Sequence, residues 1–161
     1  ILLTLTGAIG ALVGGHLDDA IGSKRVIMIA LAILLVGALG ILSVDKIHVL
    51  YTLEVAPKVA GSRPFSSIGE MVFLAFAVVV GVVAAPVQAS SRSLLARLAP
   101  PDKMTQYFGL FAFSGKVTAF LAPFVVATVT AATGSQRLGM GAIAAFLLVG
   151  MLLMVPVKSR G

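Results

Sequence analysis

Between Arg25 and Asp45 lie nineteen consecutive residues, Val26 to Val44, without one charged side chain. An α-helix rising ~1.5 Å per residue needs about 20 such residues to cross roughly 30 Å of hydrocarbon. The pattern recurs along the chain. Met71 to Ser91 gives 21 uncharged residues, Val117 to Gln136 gives 20, and Leu138 to Val157 gives 20 before Lys158. Ile1 to Leu17 adds a run of 17 at the start. A single run of this kind could be the buried helix of a soluble domain, but five in 161 residues cannot. With 59% apolar and 11% charged residues, too little polar surface remains to cover a water-soluble core of this size. Mean hydropathy is +1.10, which excludes disorder as well. The fold class expected is therefore all-α, a multi-pass transmembrane helix bundle of about five spans, 1–17, 26–44, 68–98, 104–132 and 136–157. One long connection, 45–67, interrupts them.

The connections alternate in character. The segment 16–25, HLDDAIGSKR, is short and ends on two bases. In the long connection, IHVLYTLEV alternates as a strand would, and Pro57, Gly61 and Pro64 then break the chain. APPDK at 99–103 and TGSQ at 133–136 are tight turns. Successive connections must lie on opposite sides of a bilayer. One side then receives seven bases (Lys24, Arg25, Arg92, Arg97, Lys103, Lys158, Arg160), and the other four (Lys46, Lys58, Arg63, Arg137). The seven-base side is expected to be cytoplasmic. A net charge of +6 would suggest nucleic acid in a soluble protein, but here the bases flank apolar runs singly and form no basic face. Nucleic acid is therefore not an expected partner; the lipid bilayer is. Cysteine is absent, so disulfide scaffolds, thiolate metal sites and cysteine nucleophiles are excluded for this stretch.

The sharpest local pattern is the elbow Gly15-His-Leu-Asp-Asp19-Ala-Ile-Gly22-Ser-Lys24-Arg25. Gly15 and Gly22 would permit close approach and positive φ. Lys24 and Arg25 would stay at the headgroup boundary, and Asp19 could place negative charge against a neighbouring helix start. A generic charged turn is the plain alternative. The elbow resembles the glycine–aspartate–basic motif of the major facilitator superfamily, departing from it at Ser23, where a base is usual. A second, longer resemblance runs from Pro86-Val-Gln88-Ala-Ser90-Ser91-Arg92 through Pro100. It continues through Tyr107-Phe-Gly109 and Ser114-Gly-Lys116-Val-Thr118 to Pro123 and Thr133-Gly-Ser-Gln-Arg137. This run is similar to the vacuole-effluxer-like branch, which includes fungal vacuolar amino-acid exporters and bacterial relatives. The resemblance implies the last five helices of a twelve-helix transporter, with 45–67 extracytoplasmic and an N-terminal transporter half as partner. For a bacterial chain it implies the cell inner membrane.

Lys116 is the most informative single residue. Counted from Met104 it lies about 18 Å along its helix, at mid-bilayer. Ionisable groups at that depth usually face a bundle interior and act in a pathway, although a lysine satisfied by carbonyls is the structural alternative. Spans three and four would be antiparallel about the 99–103 turn, bringing Lys116 level with residue 86. Pro86 has no N–H and leaves the Val82 carbonyl without its helical donor. Gln88, Ser90 and Ser91 add polar atoms nearby. Transporters build sites at such helix breaks, so Lys116, Gln88, Ser90, Ser91 and Pro86 are the candidate substrate-pathway residues. A kink at Pro86 and interhelical packing by Gln88 and the serines are the competing readings.

Other patterns carry less. Gly109 to Lys116 has the wrong spacing for a phosphate-binding loop, and no strand precedes it. His16 and His48 fall on opposite sides and cannot share a metal. Asp18–Asp19 could suggest a metal-dependent lipid enzyme, but no second carboxylate cluster lies within the spans. Gly139, Gly141 and Gly150 are expected to serve close helix packing. The reading is secondary transport of a small polar solute by alternating access, with amino acids as the implied substrate and H+ as a candidate partner. It invokes no cofactor, metal or covalent chemistry. A stand-alone membrane scaffold without transport activity and an integral-membrane enzyme are the other classes.

Overall fold

The structure, a computed structural model, describes residues 2–43, 48–49, 53–54 and 67–158, with side chains over 7–43 and 67–158. The described chain is an all-α membrane bundle of five long helices: α1 (Leu2–Ile21), α2 (Ser23–Ser43), α3 (Ile68–Leu98), α4 (Met104–Thr133) and α5 (Gln136–Met154). Four stretches are long and apolar enough to cross a membrane: α2, α3, the 3₁₀ turn Pro101–Lys103 with α4, and α5. At 20 residues, α1 has the length of a fifth. The described residues of the alternating segment form two short antiparallel strands, β1 (His48–Val49) and β2 (Leu53–Glu54). Pro57, Gly61 and Pro64 lie outside the described residues.

Local chemistry sets the helix ends. Gly22 adopts φ 88° between α1 and α2, a left-handed conformation that a Cβ would disfavour. Its N–H bonds back to the Asp18 carbonyl at 3.0 Å, closing α1, while its own carbonyl accepts from Arg25 and Val26 to open α2. A capping box starts α3: Ser67 Oγ accepts from the Glu70 N–H at 3.2 Å, and Glu70 faces the Ser67 N–H in return. Pro100 and Pro101 stop it. Gly134, at φ 66°, ends α4.

Helix order in space is not helix order in sequence. α3 sits between α1 and α2, α5 packs on α2, and α4 packs on α5. The order across the bundle is therefore α1–α3–α2–α5–α4. Gly7 lies near the Gly81 carbonyl and Gly14 against Pro86, so α1 and α3 run parallel. Gly37 meets Val80 and Gly40 meets Phe76, so α2 runs antiparallel to α3. Two basic side chains clamp the antiparallel α2/α5 pair at its opposite ends. Lys24 Nζ donates to the Val155 carbonyl at 2.9 Å, and Arg137 Nε to the Leu42 carbonyl at 2.7 Å. Each places a cation at the C-terminal, negative end of the facing helix.

Small residues carry the contacts, as expected where lipid removes any hydrophobic drive between helices. A Cβ at Gly14 would lie 2.7 Å from the Pro86 ring, and one at Gly37 2.9 Å from Val80. On α5 only the first of the three expected glycines packs closely: Gly139 abuts Thr130 and Val126, whereas Gly141 and Gly150 have open space around them. The fully buried core is correspondingly thin, with Val26, Ile27, Ala30 and Leu94 among its members. Large apolar side chains point outward, Leu12 at 71% and Phe120 at 72% exposure, a surface suited to lipid and not to water.

Candidate functional site

α3 presents two polar faces of different character. Pro86, Ser90 and Leu94, four residues apart, form its buried stripe. Ser90 is 1% exposed and its hydroxyl has no partner among the described residues. The Val82 carbonyl, which Pro86 leaves without a helical donor, meets Gly10: a Cβ there would overlap the oxygen. Glycine backbone therefore covers the break. Lys116 was expected at this place, and the structure puts α1 there instead. α4 meets α3 in few places and has no buried residue, and Lys116 is exposed midway along it without a partner among the described residues. The physical reason is that α5 lies against α2 and draws α4 along with it, away from α3.

The other face of α3 is open. Ala77, Val80, Gly81, Ala84, Ala85, Gln88, Ala89 and Arg92 line a cleft of about 640 Å³, joined by Gly7 of α1 and Ile41 of α2. Gln88 thus separates from Pro86 and Ser90, which turn inward. Ser91 bonds its hydroxyl to the Val87 carbonyl at 2.6 Å, one turn back on its own helix. Of the expected pathway residues, the structure gathers Pro86 and Ser90 on one face, sets Gln88 on another, and leaves Lys116 apart from both.

At the elbow, the glycine and the carboxylate in contact with α3 stand one position before the two that the sequence singled out. The glycine that lets α3 approach is Gly14, while a Cβ at Gly15 would meet nothing. The buried carboxylate is Asp18, 6% exposed, and Asp19 is exposed. Asp18 Oδ2 accepts from Ser23 Oγ at 3.0 Å and faces Arg97 of α3 at 3.5 Å. Asp18 Oδ1 is buried without a partner among the described residues. This Asp18–Ser23–Arg97 group ties the ends of α1, α2 and α3 together. Sequence reading missed it because both aspartates stand in the same motif and only helix rotation distinguishes them. Lys24 is engaged with Val155, and Arg25 is exposed. Among the described residues no three His, Asp or Glu side chains gather as a metal ion would require.

The family model described as "Vacuole effluxer Atg22 like" matches residues 61–160, from before α3 to beyond α5. The chain belongs to the vacuole effluxer Atg22-like family. Its relatives include Autophagy-related protein 22 of Cryptococcus neoformans var. neoformans serotype D (strain B-3501A), 38% identical over 92 residues, 57% of this chain and 16% of the relative. Autophagy-related protein 22-2 of Emericella nidulans is 33% identical over 79 residues, 49% of this chain and 12% of the relative. The matched stretch thus spans about a sixth or less of these relatives' length. No solved structure gives a significant match. The family is described by efflux, a membrane-transport activity. The Atg22-like match takes in both faces of α3, the uncovered side of α4 and Arg97, while Asp18 and Ser23 of the elbow fall before it.

Proposed function

We propose that this chain is the C-terminal part of a major facilitator transporter that moves a small polar solute, amino acids foremost, by alternating access. In that reading its helices are the last five of twelve, and the rest of the protein supplies the facing half. Lys116 carries the reading. A charge about 18 Å into a spanning helix, without a partner among the described residues and on a face that α5 does not cover, suits a polar pathway and is costly against lipid. The membrane proposed is the cell inner membrane for a bacterial chain; the curated relatives named above are fungal. H+ is the proposed coupling ion, and efflux the proposed direction.

Solute flux through the full-length protein in proteoliposomes tests this. Lys116→Met should insert normally, because it removes the insertion penalty of a central charge, yet lower transport by about tenfold or more. Lys116→Arg should not restore it, since a planar fork does not replace a compact ammonium. Normal flux through Lys116→Met would remove Lys116 from the pathway. No flux of any amino acid by the unsubstituted protein would favour the scaffold.

A further inference from the structure

Among the described residues, Arg25, Arg92 and Lys116 are α-helix-borne cations with no partner, and of these Arg92 lines the cleft. Lys24 and Arg137 donate to helix-end carbonyls, and Arg97 faces Asp18. Arg92 has no hydrogen bond or ion pair among the described residues, and neither has Gln88. Both are exposed, and both line the open cleft of α3. Four residues apart, they stand about 5–6 Å from each other on one helix face. Every other described residue lining that cleft is Gly, Ala, Val or Ile, so among the described residues these two supply its polar side chains. From Ala77 to Arg92 the lining stripe runs about 22 Å along α3, most of the hydrocarbon thickness. Arg92 stands six residues before the helix end at Leu98, roughly 9 Å inside it.

We propose that Arg92 and Gln88 form the carboxylate-binding end of a solute cleft, near the membrane face that carries the elbow. This rests on the transporter reading and narrows its substrate to small solutes bearing a carboxylate. Guanidinium pairs bidentately with a carboxylate, and the Gln88 amide can donate to the same group. The small residues along the rest of the stripe leave room for an apolar or compact remainder. In a mostly apolar cleft two convergent polar groups fix orientation, the usual division of labour in a small-molecule site. A lipid phosphate offers Arg92 similar chemistry, and the test separates the two sources.

Ala89→Cys, introduced into the full-length protein freed of other cysteines, places a thiol in the cleft beside Arg92. Labelling rates are compared for an anionic sulfonate and a cationic ammonium methanethiosulfonate, in dodecyl maltoside micelles and in phosphatidylcholine vesicles. The anionic reagent should react about tenfold faster relative to the cationic one, as a unit charge roughly 6 Å away requires in water. Adding Arg92→Gln should abolish that preference, and Arg92→Lys should keep it. L-alanine, L-leucine or L-lysine should slow labelling, while their amides, which lack the carboxylate, should not. With each rate divided by that reagent's rate toward a free small-molecule thiol, equal values for the two reagents with Arg92 present would overturn the proposal, as would protection by none of the three amino acids or equal protection by the amides. A preference seen in maltoside that vanishes in phosphatidylcholine would assign Arg92 to lipid phosphate and overturn it too. Charge preference and protection without any transport would leave the site standing and remove the transporter reading.

Discussion

Gly10 of α1 lies directly against the carbonyl oxygen of Val82 in α3, the acceptor that Pro86 deprives of its helical hydrogen bond. The two features depend on each other. A proline inside a membrane helix leaves a carbonyl that lipid cannot satisfy, and a neighbouring helix must come close enough to cover it. Only a residue without a Cβ can approach so near, and the same parallel contact continues one turn on, where Gly14 meets the Pro86 ring.

This contact predicts a sharp difference between adjacent glycines. Gly10→Ala and Gly14→Ala would each force α1 away from α3 and should destabilise the protein by about 1–3 kcal/mol, the range for overpacking. Gly15→Ala meets open space and should be neutral within about 0.5 kcal/mol. Denaturation midpoints of the full-length protein in detergent measure the difference. A Gly15→Ala variant as damaged as Gly14→Ala would contradict the helix rotation described above.

The two aspartates of the elbow should separate in the same way. Asp18→Ala removes a buried acceptor from Ser23 and from Arg97 and should cost about 2 kcal/mol. Asp19→Ala, at an exposed position, should change stability by no more than about 0.5 kcal/mol. Because Arg97 is 47% exposed, its coupling to Asp18 in a double-mutant cycle should stay below about 1 kcal/mol. For Asp19 we propose that its charge, set against a helix start of the facing half, tunes the balance between inward- and outward-open states. Asp19→Asn should therefore shift the labelling of cytoplasmic cysteines without lowering the denaturation midpoint, and a fall in both would show Asp19 to be structural.

Sidedness gives the third test. Ser23 and Lys103 stand at one end of the bundle, since the start of α2 and the end of α5 are joined through Lys24 and the ends of α1 and α3 through Asp18. Gln136 stands at the other, beside the end of α2 that Arg137 holds. Cysteine at Gln136 should react with an impermeant reagent applied to intact cells, and cysteine at Lys103 only after the membrane is opened. The reverse pattern would invert the orientation drawn from the basic residues.

That the chain forms long apolar helices was legible in the residues themselves. An uncharged run such as Val26–Val44 or Leu138–Val157 specifies a crossing helix without reference to any neighbour, because the bilayer imposes the length and the helix satisfies its own backbone. Gly22, Gly134 and the paired prolines at 100 and 101 likewise mark helix ends by local stereochemistry alone. What covers each helix was decided only in three dimensions. Reading α3 and α4 as neighbours because they follow one another set Lys116 beside Pro86, whereas α1 takes that position and α4 lies out against α5. Within the elbow, residues one apart differ by about 100° of helix rotation, and that angle turns Asp18 and Gly14 inward and Asp19 and Gly15 outward. Hydrophobicity is nearly uniform around such helices because both lipid and protein are apolar, so the sequence carries little record of rotation, and packing against Gly, Pro and Ser supplies it.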